Sequence, residues 1–145
     1  MKILQCGKCG HIEFNTTPSA CLVCHSPGSQ FKEDPDAIKK PGQAGAGEAD
    51  QKHIPAVSVE PESLFSGGES VTVKVKVGSM EHPMKAEHFI RYLDLYLNHA
   101  FINRVWFSPV VNRPAAAFSI AAKSGTITVI ENCNVHGTWM TEKTF

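Results

Sequence analysis

The chain has 145 residues, with 14 lysines and arginines balancing 14 aspartates and glutamates, and 42% of its residues are hydrophobic. Zero formal charge and no block of like charges leave no electrostatic footprint for nucleic acid or an anionic membrane, so any attraction for a charged substrate must be local. The length suits a small metal-stapled module followed by a core-bearing domain of about 95 residues.

The N-terminus, Met1-Lys2-Ile3-Leu4-Gln5-Cys6, lacks an apolar signal core, and no apolar run approaches membrane-spanning length. The expected location is therefore the cytoplasm. Thiols stay reduced there, and clustered cysteines more often bind metal than form disulfides.

Residues 1–34 carry Cys6-Gly7-Lys8-Cys9-Gly10 and Cys21-Leu22-Val23-Cys24, two C-x-x-C knuckles separated by residues 10–20. Each knuckle closes a tight turn whose amides point at the sulfurs, and a hairpin between them brings four thiolates onto one tetrahedral ion. The spacing does not separate structural zinc from redox iron, because both accept four thiolates. Cys6-x-x-Cys9-Gly10 and Cys24-His25-Ser26-Pro27 followed by Phe31 resemble the rubredoxin-like module at the end of rubrerythrins, which implies iron. His11 and His25 flank the knuckles and read as solvated or hydrogen-bonding residues, since four cysteines already complete the ligand set.

Residues 35–50 are rich in Gly, Ala and Pro, show no periodicity and read as a linker. If wholly flexible, this segment reaches roughly 20–24 Å, so the two modules need not touch. Residues 51–145 form the second domain.

From residue 53 the pattern is β. Val71 to Val77 alternates strictly, giving one apolar and one solvated face. Phe89 to Leu97 is compatible with helix or strand, and Tyr92, Tyr96 and the flanking β segments favour strand. Arg104 to Val111, Ala115 to Ala121 and Thr126 to Ile130 continue the series, with turns at Asn112-Arg113-Pro114 and Lys123-Ser124-Gly125. About seven short strands predict a mainly β fold, an antiparallel sandwich preceded by the metal-knuckle domain.

The fifth cysteine, Cys133, lies far from the paired four and is followed three residues later by His136, a C-x-x-H pair able to place a thiolate and an imidazole on one ion. Further ligands are available from Lys52-His53-Ile54-Pro55 and from Glu81-His82-Pro83-Met84-Lys85-Ala86-Glu87-His88. Zinc is satisfied by four ligands. A set of four histidines and one cysteine therefore favours a metal that accepts higher coordination and leaves a sixth position for chemistry, and iron fits best. A thiolate on such an ion donates electron density along its axis, as in thiolate-ligated haem enzymes. His99 follows a strand-like run and reads as an ordinary polar residue.

These segments, with Gly78-Ser79-Met80 and Cys133-Asn134-Val135-His136-Gly137, resemble desulfoferrodoxin and neelaredoxin, the superoxide reductases, in the family's order across most of residues 51–140. The resemblance implies an Ig-like sandwich carrying mononuclear iron, ferrous or ferric, with His53, His82, His88 and His136 equatorial and Cys133 axial. It implies a catalytic lysine at Lys52 that draws superoxide toward the open position. The family commonly has a glutamate just before this lysine, which binds the oxidised iron; here Gln51 stands there, and Glu48 or Asp50 is the candidate substitute. The small domain departs from desulfoferrodoxin too, since its last two cysteines are adjacent in that family and Cys21 and Cys24 are separated here. Its centre is therefore expected to be of regular rubredoxin type if it holds iron.

The function implied is one-electron reduction of superoxide to hydrogen peroxide, with iron, or zinc, at Cys6, Cys9, Cys21 and Cys24. The expected partners are superoxide as substrate, rubredoxin or a similar protein as electron donor, and further copies of the chain in a dimer or tetramer, with neither nucleic acid nor membrane. The competing readings are an electron carrier or metal-binding module with two closed centres, and a zinc-ribbon adaptor whose β domain binds a protein.

Overall fold

The computed structural model describes residues 1–42 and 47–145. Strands β1 (Ile3–Cys6), β2 (Ile12–Phe14) and β3 (Phe31–Glu33) form an antiparallel sheet in the order β2-β1-β3. Leu4, Cys6, Cys21 and Phe31 are buried together beneath it.

After a six-residue helix α1 (Glu48–His53) the chain is antiparallel β: β4 (Pro55–Pro61), β5 (Val71–Val77), β6 (Ile90–Leu97), β7 (Ala100–Trp106), β8 (Ala115–Ile120), β9 (Thr126–Cys133) and β10 (Gly137–Thr144). They form two sheets, β10-β9-β6-β7 and β4-β5-β8, which face each other as the expected sandwich. The core between them includes Val73, Val75, Val77, Leu93, Leu95, Ile127 and Val129. β5 obeys its alternation, with those three valines buried and Lys74 and Lys76 exposed.

The ambiguity of the Phe89–Leu97 segment has a physical cause. Tyr92 through Tyr96 are all buried, because Leu93 and Leu95 face the sandwich interior while Tyr92, Asp94 and Tyr96 face the N-terminal module. A strand covered on both faces loses its period-two signature.

Arg104 to Val111, expected to be one strand, is instead the end of β7 and a turn. Ser108 N donates to Asn112 Oδ1 at 2.7 Å and Asn112 N donates to Ser108 O at 3.0 Å, which closes a loop at whose tip Val110 and Val111 are exposed. The Asn112-Arg113-Pro114 and Lys123-Ser124-Gly125 turns do lie at the ends of β8. β9 continues past Ile130 to Cys133, so a core strand delivers that thiol.

The two modules pack against each other. Ile12 and Phe14 of β2, Ile38, Tyr96 and Ile130 form one buried cluster, and Tyr96 Oη donates to Ile12 O at 2.7 Å. Part of the 35–50 segment is ordered in this contact: Ile38 is buried, Lys39 N donates to Thr138 O at 2.8 Å, and Gly42 N donates to Asp50 Oδ2 at 2.7 Å. Residues 43–46 of that segment lie outside the described residues. Gly10, which ends the first knuckle at φ +76°, shows how close the packing is, because a Cβ there would meet Tyr92 Oη at 2.7 Å.

Candidate metal centres

Three segments converge at one end of the sandwich. His53 ends α1, His82 and His88 sit in the β5–β6 connection, and Cys133 and His136 frame the turn between β9 and β10. One potential ligand atom from each of these five residues lies within 4.8 Å of every other.

The tautomers follow from the hydrogen bonds. A carbonyl only accepts, so His53 Nδ1 donates to Ala49 O at 2.7 Å and His82 Nδ1 donates to Pro83 O at 2.7 Å. That leaves both Nε2 atoms as lone-pair acceptors, and they face each other at 3.1 Å. Two acceptors cannot bond to one another, so the geometry calls for a cation between them. His88 Nε2 is buried with no hydrogen-bond partner, a third orphan aimed into the same space. Burial and the neighbouring imidazoles depress all three: His82 to about 4, His53 and His88 downward. They therefore stand neutral, the form that ligates metal.

The rings run in a cycle. His53–His82, His82–His88, His88–His136 and His136–His53 centroids are 4.7, 4.7, 4.9 and 4.9 Å apart, each pair near edge-to-face. The four imidazoles thus surround a common space, and the Cys133 thiol borders the same space. Its Sγ lies 3.7 Å from His136 Nδ1 and accepts from His136 N at 3.4 Å. Burial pushes the thiol up, while the amides of Val135 and His136 oppose that by favouring the thiolate.

Three supports had little or no separate signal in the sequence. Asn134 clasps the ligand loops together, accepting from Phe89 N at 2.9 Å and donating to Glu87 O at 3.1 Å. Trp139, fully buried, stacks on His53 at 4.8 Å and donates from Nε1 to His136 O. Gly78, at φ +80°, lets the β5–β6 connection touch the end of α1; a Cβ there would lie 2.6 Å from both Gln51 O and Lys52 O. Glu131, two residues before Cys133, is fully buried with both carboxylate oxygens unpartnered, and burial pushes it well above the usual carboxylate range.

Lys52 precedes His53 on α1 and is close enough to contribute to the depression of His53 and His88. Its Nζ pairs with Glu48 Oε1 at 2.6 Å, one helical turn away. Glu48 and Asp50 are absent from the cluster: Glu48 holds Lys52 and Asp50 holds Gly42 N, while the Gln51 carbonyl accepts from Met80 N.

The second cluster is Cys6, Cys9, Cys21 and Cys24, all free, with their sulfurs within 4.8 Å of one another. Cys6–Cys24 and Cys9–Cys21 sulfurs are 3.7 and 3.5 Å apart. That is far beyond a disulfide bond and close to the edge, about 3.8 Å, of a tetrahedron with 2.3 Å metal–sulfur bonds. The Ser26 hydroxyl and amide pull Cys24 down to about 6. His11, His25 and His99 are not in either cluster. His11 is fully buried and bonded to Glu13 and Asp94, and His99 bonds Glu142 at 2.7 Å.

The desulfoferrodoxin family model matches residues 46–142. A superoxide reductase from Pyrococcus furiosus is 35% identical over 114 residues, covering 65% of this chain and 88% of that protein. A desulfoferrodoxin from Syntrophotalea carbinolica is 28% identical over 145 residues, covering 98% and 96%. Among solved structures, a superoxide reductase (neelaredoxin) from Ignicoccus hospitalis matches with a TM-score of 0.63 and 31% identity, covering 79% of this chain and 98% of that one.

Proposed function

The chain belongs to the desulfoferrodoxin family and is a superoxide reductase, and from that premise we propose how its residues divide the work. The observation that carries the reading is the convergence of four imidazoles and one thiolate, with three imidazole nitrogens left for a cation by their hydrogen bonding. When bound there, iron supplies a single electron to superoxide, which with two protons leaves as hydrogen peroxide.

The protein's share is arrangement. His53, His82, His88 and His136 would hold the ion with four neutral donors, so its charge would stay available to attract an anion. Cys133 would complete the set and, as a thiolate, would donate electron density to bound iron. Trp139 and the Asn134 clasp fix the ring planes, as outer partners of metal ligands do. Lys52 would be the steering residue: a compact ammonium near His53 and His88 raises the encounter rate of a small anion on a neutral protein. Protons come from solvent.

The oxidised centre needs an external reductant, for which we propose rubredoxin or a similar small electron carrier. We also assign the chain to the cytoplasm and to a homo-oligomer, dimer or tetramer. No helix among the described residues is long and apolar enough to cross a membrane. Cys6, Cys9, Cys21 and Cys24 form a closed tetrahedral site that we assign to iron, with zinc the alternative.

Elemental analysis of protein from its native source tests both sites together, with about two irons per chain expected. One iron with stoichiometric zinc makes the small module structural. Zinc alone, with no iron at all, contradicts the reductase reading.

A further inference from the structure

A buried ion pair lies where the four-cysteine module meets the sandwich. Asp94 on β6 and Arg104 on β7 have side chains only 1% and 3% exposed. The guanidinium uses two of its donors on this carboxylate, Nε to Oδ1 at 2.6 Å and Nη2 to Oδ2 at 2.7 Å. Its third nitrogen points the other way, and Nη1 donates at 3.0 Å to the carbonyl of Cys9, one of the four clustered cysteines. The guanidinium lies over the Tyr92 ring at 3.4 Å, and the Tyr92 hydroxyl reaches Gly10 O, the next residue of the knuckle. On the far side of Asp94, His11 Nδ1 is 3.4 Å from Oδ2, and its Nε2 is 2.9 Å from Glu13 Oε1.

A buried ion pair adds little net stability over a well-packed apolar pair, so stability alone does not explain it. Its orientation does suggest a role. The pair is a dipole whose positive end touches Cys9, a ligand of the proposed metal, while its negative end meets His11, and in a site closed to water it is weakly screened. Iron on four thiolates carries one net negative charge when ferric and two when ferrous. A positive end fixed beside it stabilises the state with the extra electron.

We propose that Arg104, a side chain of the sandwich, raises the reduction potential of iron held by Cys6, Cys9, Cys21 and Cys24, through its contact with Cys9 and opposed by the more distant Asp94. Arg104 is thus a positioning and tuning residue for a centre on the other module. The inference rests on the reading of the four cysteines as an iron site. It also gives the packing of the modules a consequence, because the docked sandwich sets the potential at which the small module takes up an electron.

The test is a redox titration of the full-length, iron-loaded protein, followed at the visible bands of the four-thiolate iron with the His–Cys centre as internal control. Asp94→Asn removes the opposing charge and is expected to move the midpoint up. The paired change Arg104→Met with Asp94→Asn leaves no orphaned buried charge, and its midpoint is expected to fall below that of the unaltered protein. The midpoint of the His–Cys centre should stay in place in both. A purely structural role for Arg104 does not produce shifts of opposite sign. If the double variant does not fold, Asp94→Asn alone decides, and an unmoved or lowered midpoint overturns the proposal. Normal four-thiolate bands with unmoved midpoints overturn it alone. Protein that never develops those bands on iron loading overturns the iron reading of the site, and the proposal with it.

Discussion

Cys133→Ser is expected to abolish the thiolate-to-iron charge-transfer band and to cost at least about 100-fold in superoxide reduction, the loss that outer-shell partners of a metal site alone can cause. The substitution is nearly isosteric at a position 1% exposed, and the backbone there is fixed by β9 pairing with β6 and β10, so the fold should persist. Four imidazoles remain and should retain iron. A hydroxyl is a much weaker donor than a thiolate, so bound iron would keep its place and lose that push. The spectrum of the four-cysteine centre should not change, since Cys133 belongs to the other cluster. Oxidised protein with an unaltered band at the His–Cys centre would remove Cys133 from the ligand set.

The second large effect concerns Lys52. On a chain of zero formal charge, capture of a small anion depends on local potential, and focused steering is worth roughly 10- to 1000-fold in association rate. Lys52→Ala should slow the bimolecular reaction at the low end of that range, because Glu48 already neutralises part of the ammonium's field. The dependence on ionic strength should flatten. Glu48→Gln should act in the opposite direction, freeing Lys52 and steepening that dependence, and should have no effect once Lys52 is alanine. Both are read by pulse radiolysis across a salt series, with the visible spectrum checking that the site is assembled. A Lys52→Ala protein with unchanged rate and salt dependence would shift the role to another cation such as Lys85.

The members of the two clusters were legible in the sequence because their chemistry is local. The paired knuckles have a fixed spacing, Cys133 and His136 close one turn, and His53, His82 and His88 sit beside prolines or in short connections, so the clusters form wherever the strands bring the segments together. β5 was legible for the same kind of reason, having one dry face and one wet face. β6 was ambiguous because its outer face is covered by a different module, and pattern alone does not separate such a strand from a buried helix. The docking itself was hidden, since it depends on Ile12, Phe14 and Ile38 meeting Tyr96 and Ile130 across more than 50 residues of chain, a contact that no local period encodes. α1 escaped notice because six residues carry no amphipathic period. The ion pair of Glu48 with Lys52, which occupies the carboxylate proposed as a ligand, becomes visible only once that helix is in place.

The peroxide yield when the reduced protein consumes superoxide separates reductase from dismutase chemistry. A reductase oxidises one ferrous centre and releases one hydrogen peroxide per superoxide, with no dioxygen evolved, and stops when the iron is spent unless a donor is supplied. The account predicts that stoichiometry and that arrest. Half a peroxide per superoxide, with dioxygen released and turnover continuing without a donor, would show a dismutase and contradict it.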